Sequence, residues 1–197
     1  MRPALLLLEF DSIAVGIEVG DAMVKRAPLL TLHAGTVHPG KYLVLAGGEV
    51  ADVEEAWIAG RSTAPGFEVD EVFLPDVDPQ VVSSLTGIKK PGPGVALGVI
   101  ETRTAASTIR AADAAVKGAS VDLLEIHLAD GLGGKAYALF GGEVSDVEVA
   151  VETGVAGLRD PALLVASVVI PKIHEEMREN LAADSRFALR VISSTGA

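Results

Sequence analysis

Hydrophobic and polar positions follow the same succession twice along this chain. Ala4 to Phe10 and Val95 to Glu101 are apolar runs of the length of buried strands. Each is followed by a residue suited to cap a helix, Ser12 or Thr104, opening helices that end near Arg26 and Gly118. Two further strands are expected in each half, about Leu29–Ala34 and Lys41–Ala46, then Val121–Leu128 and Lys135–Phe140. A second helix starts at Glu49 or Glu143. On it Val144, Val147 and Val151 recur at i, i+3 and i+7, which turns one apolar face toward a sheet. A fourth strand ends at Pro75 or Pro171, and a short helix closes each unit. The order is βαββαβα, twice. It predicts an α+β fold of two tandem units, each an antiparallel-containing sheet with helices packed on one face.

The halves also share residues. Gly47 to Ala56 matches Gly141 to Ala150 with eight of ten positions identical, and Asp21-Ala22-Met23-Val24-Lys25 matches Asp113-Ala114-Ala115-Val116-Lys117. Gly40-Lys41 recurs as Gly134-Lys135, His33 as His127 and Pro75 as Pro171. The offset drifts from 92 to 94 to 96, which places two extra residues between about 119 and 127 and two more before Pro171. This is an internal duplication. The units are bounded at 1–88 and 95–182, with a Pro- and Gly-rich linker between them and a tail at 183–197. In the tail, Phe187 to Ile192 reads as a weak strand.

Composition narrows the function. Hydrophobic residues make up 49% of 197, enough for a real core, and aromatics only 4%, so that core is aliphatic. With 27 acidic against 16 basic side chains the net charge is −11, which disfavours phosphate backbones; no nucleic-acid partner is expected. There is no cysteine, which excludes disulfides, zinc thiolates, cysteine-ligated iron–sulfur clusters and Cys nucleophiles. The first ten residues lack the apolar length and cleavage site of a signal peptide, and Leu163–Ile170 is far shorter than the roughly 20 residues that span a bilayer. A soluble cytoplasmic protein without a membrane partner is expected.

The motifs Ala96-Leu97-Gly98-Val99-Ile100-Glu101-Thr102-Arg103, Ala111-Ala112-Asp113-Ala114-Ala115-Val116-Lys117, Gly142-Glu143-Val144 and Val169-Ile170-Pro171-Lys172-Ile173-His174 stand in order in the second copy. Together they resemble the bacterial microcompartment shell domain. The resemblance covers both repeats and is nearest the tandem-domain class, in particular its propanediol-utilisation subgroup. It implies a non-enzymatic shell tile: a homotrimer that mimics a hexamer, packs edge to edge with other shell proteins, and passes small metabolites through a central pore.

On that resemblance Thr36, Val37, His38, Pro39 and Gly40, with Asp130, Gly131, Leu132, Gly133 and Gly134, line the pore. Read plainly, both stretches are tight hairpin turns, and Gly131–Lys135 lacks the spacing of a phosphate loop. The resemblance assigns Lys25, Lys117 and Lys172 to the tile edge. A lysine ending a helix also complements the helix dipole, and in the first copy Pro75-Asp76-Val77-Asp78 departs from the family's basic motif. Some relatives hold an iron–sulfur cluster through a Cys at the position of His38. Here three His38 imidazoles on an axis would make a metal site for zinc or copper, or a pH-sensitive gate, against the plainer reading of a solvated loop histidine. His33, His127 and His174 are expected in packing or strand-edge hydrogen bonds. Glu49, Asp52 and Glu54, with Glu143, Asp146 and Glu148, sit where a helix N-terminus favours negative charge, and nothing assembles them into catalytic machinery.

Overall fold

The run at Ala4–Phe10 is continuously apolar because its strand, β1, lies inside a sheet with both faces covered: all seven residues are buried. The chain is described here by a computed structural model over residues 3–88 and 94–183. The first repeat continues with α1 (Ile13–Arg26), β2 (Thr31–Val37), β3 (Lys41–Gly48), α2 (Val50–Thr63), β4 (Glu68–Leu74) and α3 (Pro79–Leu85). The second runs β5 (Ala96–Thr102), α4 (Ala105–Gly118), β6 (Asp122–Leu128), β7 (Ala136–Gly142), α5 (Val144–Ala156), β8 (Leu164–Ile170) and α6 (Glu175–Ala182), with one 3-10 turn at Pro161–Leu163. The sheets are ordered β2-β3-β1-β4 and β6-β7-β5-β8, and every pairing is antiparallel. The expected strand at Phe187–Ile192 and most of the linker lie outside the described residues.

Alternation along β1 divides the packing. Leu6, Leu8 and Phe10 meet Val19 and Met23 of α1 and Val53 and Ala56 of α2. Leu5 and Leu7 belong instead to a cluster that runs on through Val77 and Val81 into Ile109, Leu123 and Phe140 of the second repeat. One apolar cluster therefore spans both repeats. The long helices cover one face of each sheet; Leu181, on the short α6, packs with Leu97, Leu139 and Ile173 on the other face. Both expected caps form, Ser12 accepting from Val15 N and Thr104 from Ser107 N.

The register corrects two alignments made from sequence. His33 lies opposite Leu45 in the first sheet, whereas His127 lies opposite Tyr137, the counterpart of Leu43. The structural counterpart of His33 is thus Glu125, because β6 carries an irregularity between Leu123 and Glu125 that β2 lacks. The two extra residues of the second copy sit in its hairpin loop: three residues separate Val37 from Lys41, and five separate Ala129 from Lys135. The further two precede β8, in the segment holding the 3-10 turn.

Candidate functional site

Non-equivalent elements of the two repeats meet head to tail along a seam inside the chain. β4 and α3 of the first repeat press against α4 and β6 of the second. Glu9, fully buried at the seam, accepts from Lys41 Nζ at 2.6 Å and from the backbone N–H of Ala105, the first residue of α4, at 2.9 Å. Burial pushes its carboxyl above the usual carboxylate range, against the opposing pull of Lys41 and of that N–H. Asp70 accepts from the hydroxyls of Thr104 and Ser107, the latter at 2.6 Å. Arg110 donates to the Glu71 carbonyl at 3.3 Å, while the Glu71 carboxylate takes Trp57 Nε1 at 2.7 Å and Arg159 at 3.5 Å. Beside it Glu68 is also pushed up, first by burial and then by the Glu71 charge, with Arg61 and Arg159 opposing.

Asp113 accepts from the Asp78 N–H at 2.8 Å and from Lys117, which also donates to the Asp76 carbonyl. β6 is an edge strand, and α3 closes its edge with side chains. Gln80 bonds Val121 O and Leu123 N, and Ser84 Oγ accepts from Ile126 N at 2.7 Å.

The same surfaces are bare on the opposite sides of the chain. In α4, Ala105, Ile109 and Asp113 are buried; in α1 their counterparts Ile13, Ile17 and Asp21 are exposed. β2 is exposed along most of its length, and on β8 and α6 Val168, Ile170 and Met177 stand open.

The two hairpin loops converge at one end of the seam. Gly40 and Gly134 adopt φ of +112° and +83°, and a side chain on Gly134 would press on Pro39 and Lys41, 3.2 Å from the Cβ position. His38 Nδ1 lies 3.7 Å from the Asp130 carboxylate, and both side chains are exposed. His127 shares a hydrogen bond with the Asp130 carbonyl at 3.1 Å and stacks on Tyr137. Thr36, Pro39, Gly131 and Gly133 are exposed, Val37 and Leu132 half-buried. Among the described residues no group of three or more His, Asp or Glu is placed to hold a metal ion within one chain. Nor is any helix among them long and apolar enough to cross a membrane.

The BMC domain profile matches this chain twice, over residues 4–77 and 96–173. The chain belongs to the BMC-domain family. It is 41% identical to the bacterial microcompartment shell protein PduT of Citrobacter freundii, over 90% of this chain and 96% of the relative. The crystal structure of a microcompartment protein from Desulfitobacterium hafniense superposes with a TM-score of 0.80 at 41% identity, covering 91% of this chain and 99% of that one. One repeat's length, 43% of this chain, matches 85% of the shell protein EutM of Salmonella typhimurium at 37% identity. The chain is thus a tandem-BMC shell protein of a bacterial microcompartment, a structural component and not an enzyme.

Within this BMC pair the loop residues singled out from sequence come together, whereas the three lysines divide. Lys25 pairs with Asp21 in the open, and Lys172 is exposed. Lys117 is bound into the seam's rim and retains about a third of its side-chain exposure. His174 caps α6, accepting from Glu176 N at 3.3 Å. Sequence reasoning passed over the seam residues Glu9, Asp70, Glu71 and Arg110. The usable signal was a carboxylate inside an otherwise apolar strand in both copies, Glu9 and Glu101, each with its lysine, Lys41 and Lys135.

Proposed function

We propose that three chains close a ring by repeating between chains the seam found within each, and that such rings tile the microcompartment shell in the bacterial cytoplasm. One observation carries this reading: the bare α1/β2 and β8/α6 faces are the repeat counterparts of the two faces that bury each other inside the chain. A head-to-tail contact of this kind closes into a ring when its rotation permits. Two repeats in each of three chains give six BMC domains. In the closing seam Glu101 would receive the N–H of Ile13, as Glu9 receives that of Ala105. Glu176 and Asn180 of α6 would accept from backbone N–H groups of β2, as Gln80 Oε1 and Ser84 Oγ accept from those of β6, and Met177 would occupy the place of buried Val81.

In this ring the loops at 36–40 and 130–134 surround the central opening through which small metabolites pass. Lys25, Lys117 and Lys172 stand toward the perimeter, where neighbouring shell proteins meet. Sedimentation velocity should give a species of three times 20.3 kDa, and electron micrographs should show hexagonally packed sheets. Replacing Lys25 and Lys117 by Ala removes a rim contact from each seam, so rings should form less tightly but still form at tens of micromolar, and the sheets should be lost. A monomer or two-fold dimer at tens of micromolar overturns the ring, and unaltered sheets overturn the lysine assignment.

A further inference from the structure

We propose that the two seams of the ring carry non-interchangeable chemistry, so that Asp70, Glu71 and Arg110 fix the order of domains. The free faces then accept only a second copy of this chain in the same sense. The proposal rests on the ring reading above and adds to it the residues that choose the partner.

Both seams share a common frame. Glu9 and Glu101, Asp113 and Asp21, and Lys117 and Lys25 occupy matching repeat positions. A frame common to both would let any BMC edge dock on any BMC helix face. Discrimination has to come from positions that differ, and these cluster in one place. On the strand side, Asp70 lies opposite Glu9 and Glu71 opposite Leu8; in the second sheet Ala166 lies opposite Glu101 and Ser167 opposite Ile100. Two carboxylates therefore become a methyl and a hydroxyl. On the helix side, Thr104, Ser107 and Arg110 of the second repeat correspond to Ser12, Val15 and Glu18 of the first. Two hydroxyls and a guanidinium become a hydroxyl, an apolar side chain and a carboxylate.

Within the chain the acidic edge meets the donor-rich face: Asp70 takes both hydroxyls, and Arg110 reaches the Glu71 carbonyl. Between chains the neutral edge of β8 would meet the acidic, more apolar face of α1. The mismatched pairings fail in opposite ways. An α1 face set on a β4 edge brings Glu18 toward Asp70 and Glu71 and deprives Asp70 of the Ser107 hydroxyl. An α4 face set on a β8 edge leaves the buried Ser107 hydroxyl against Ala166, where no carboxylate receives it, while Arg110 meets only the backbone carbonyl of Ser167. Like charges and unpaired buried donors are both repulsive elements of a specific interface. Each mismatch contains at least one; the two matched pairings contain neither.

The test converts the free edge in the full chain. Ala166 and Ser167 are exposed, so Ala166→Asp with Ser167→Glu leaves the fold of a single chain intact while setting two carboxylates opposite Glu18 of the next. Sedimentation equilibrium should show the ring-forming association weakened by roughly 100-fold or more. Adding Val15→Ser and Glu18→Arg to the same chain recreates the inner seam's chemistry at the closing one and should restore association to within about tenfold of the unmodified protein. Val15→Ser with Glu18→Arg alone should weaken it, because the introduced hydroxyl then meets Ala166, where no carboxylate receives it. Undiminished association of the edge variant, or no recovery in the fourfold variant, overturns the selector and leaves the ring standing. If the unmodified chain forms no trimer, the ring reading fails and the selector falls with it.

Discussion

Ile17 and Ile109 are the same residue at the same repeat position, and their substitution should read out in different experiments. Ile109 is fully buried, whereas Ile17 is 56% exposed in the single chain. Ile109→Ala removes roughly three methyl or methylene groups from a packed core and should cost about 2–5 kcal/mol of folding stability. Ile17→Ala removes the same groups from a surface, so the isolated chain should change by no more than about 0.5 kcal/mol. Its cost falls on assembly. At about 0.8 kcal/mol per buried methylene, three groups carry about 2.4 kcal/mol, and the exposed 56% leaves about 1.3 kcal/mol to be gained at each closing seam. A ring has three such seams, so the association should lose about 4 kcal/mol, on the order of a thousandfold in its equilibrium constant. Urea melts at a concentration too low for rings measure the folding term, and sedimentation equilibrium measures the association. An Ile17→Ala chain that assembles as tightly as the unmodified one refutes the argument. So does a melt that drops by several kcal/mol, which would show Ile17 to be core.

Two glycines in the long helices should respond to alanine with opposite signs. At Gly154 a Cβ would sit 2.6 Å from Ile100 Cδ1 and 2.9 Å from the Ala111 carbonyl, where α5 crosses α4, so Gly154→Ala should lower stability by about 1–3 kcal/mol in a chemical melt. At Gly20 nothing lies within 4 Å, and Gly20→Ala should raise stability by about 0.5–1 kcal/mol through the helix's backbone entropy. Glu68, whose pKa is raised by burial and by Glu71, supplies its full contribution below the unfolded pKa and loses it as pH rises through the folded one. Glu68→Gln removes that loss, so the melting temperature of the variant relative to the unmodified protein should climb from acid to neutral pH; a flat difference would refute it.

The doubled order of elements was legible because it lives in local patterns. Apolar strand runs, the caps at Ser12 and Thr104, and the valine stripe of α5 each report their own surroundings. What covers a face does not. Ile17 and Ile109 look alike in sequence because the same helix pattern serves both repeats, and only the fold shows that one already has its partner. The mistaken pairing of His33 with His127 has a similar origin. An irregularity in β6 and a longer hairpin loop shift the offset in different places, and two histidines 94 residues apart fall into line by coincidence. The loops' meeting was expected from the family resemblance alone and not from local pattern, since the approach of His38 to Asp130 depends on how one repeat sits on the other. Trp57, Arg61 and Glu71, which sit together at the seam, carry no short-range signature; they are scattered over two elements and joined only by the crossing of β4 and α2.

The treatment of sheet edges explains why the two repeats join by faces and not by strand addition. A bare edge strand offers unpaired N–H and carbonyl groups to any passing strand, a route to uncontrolled association. At β6 that edge is closed by side chains, Gln80 and Ser84 supplying the missing partners from a short helix. A side-chain cap does what a neighbouring strand would do for the backbone groups, yet it does not continue the sheet, so the next domain need not lie in the sheet's plane. Its angle is set by the packing of α4 against β4, where apolar side chains and the Asp70 hydrogen bonds fix one geometry. β2 has the same edge, exposed along most of its length. The chain brings its own plug in α6, with Glu176 and Asn180 at the positions of Gln80 and Ser84, but that plug lies at the far end of the second repeat, beside a different sheet. In the proposed ring, the edge of one copy meets the plug of the next. On that reading the residues that keep β2 from pairing indiscriminately are the ones that close the ring.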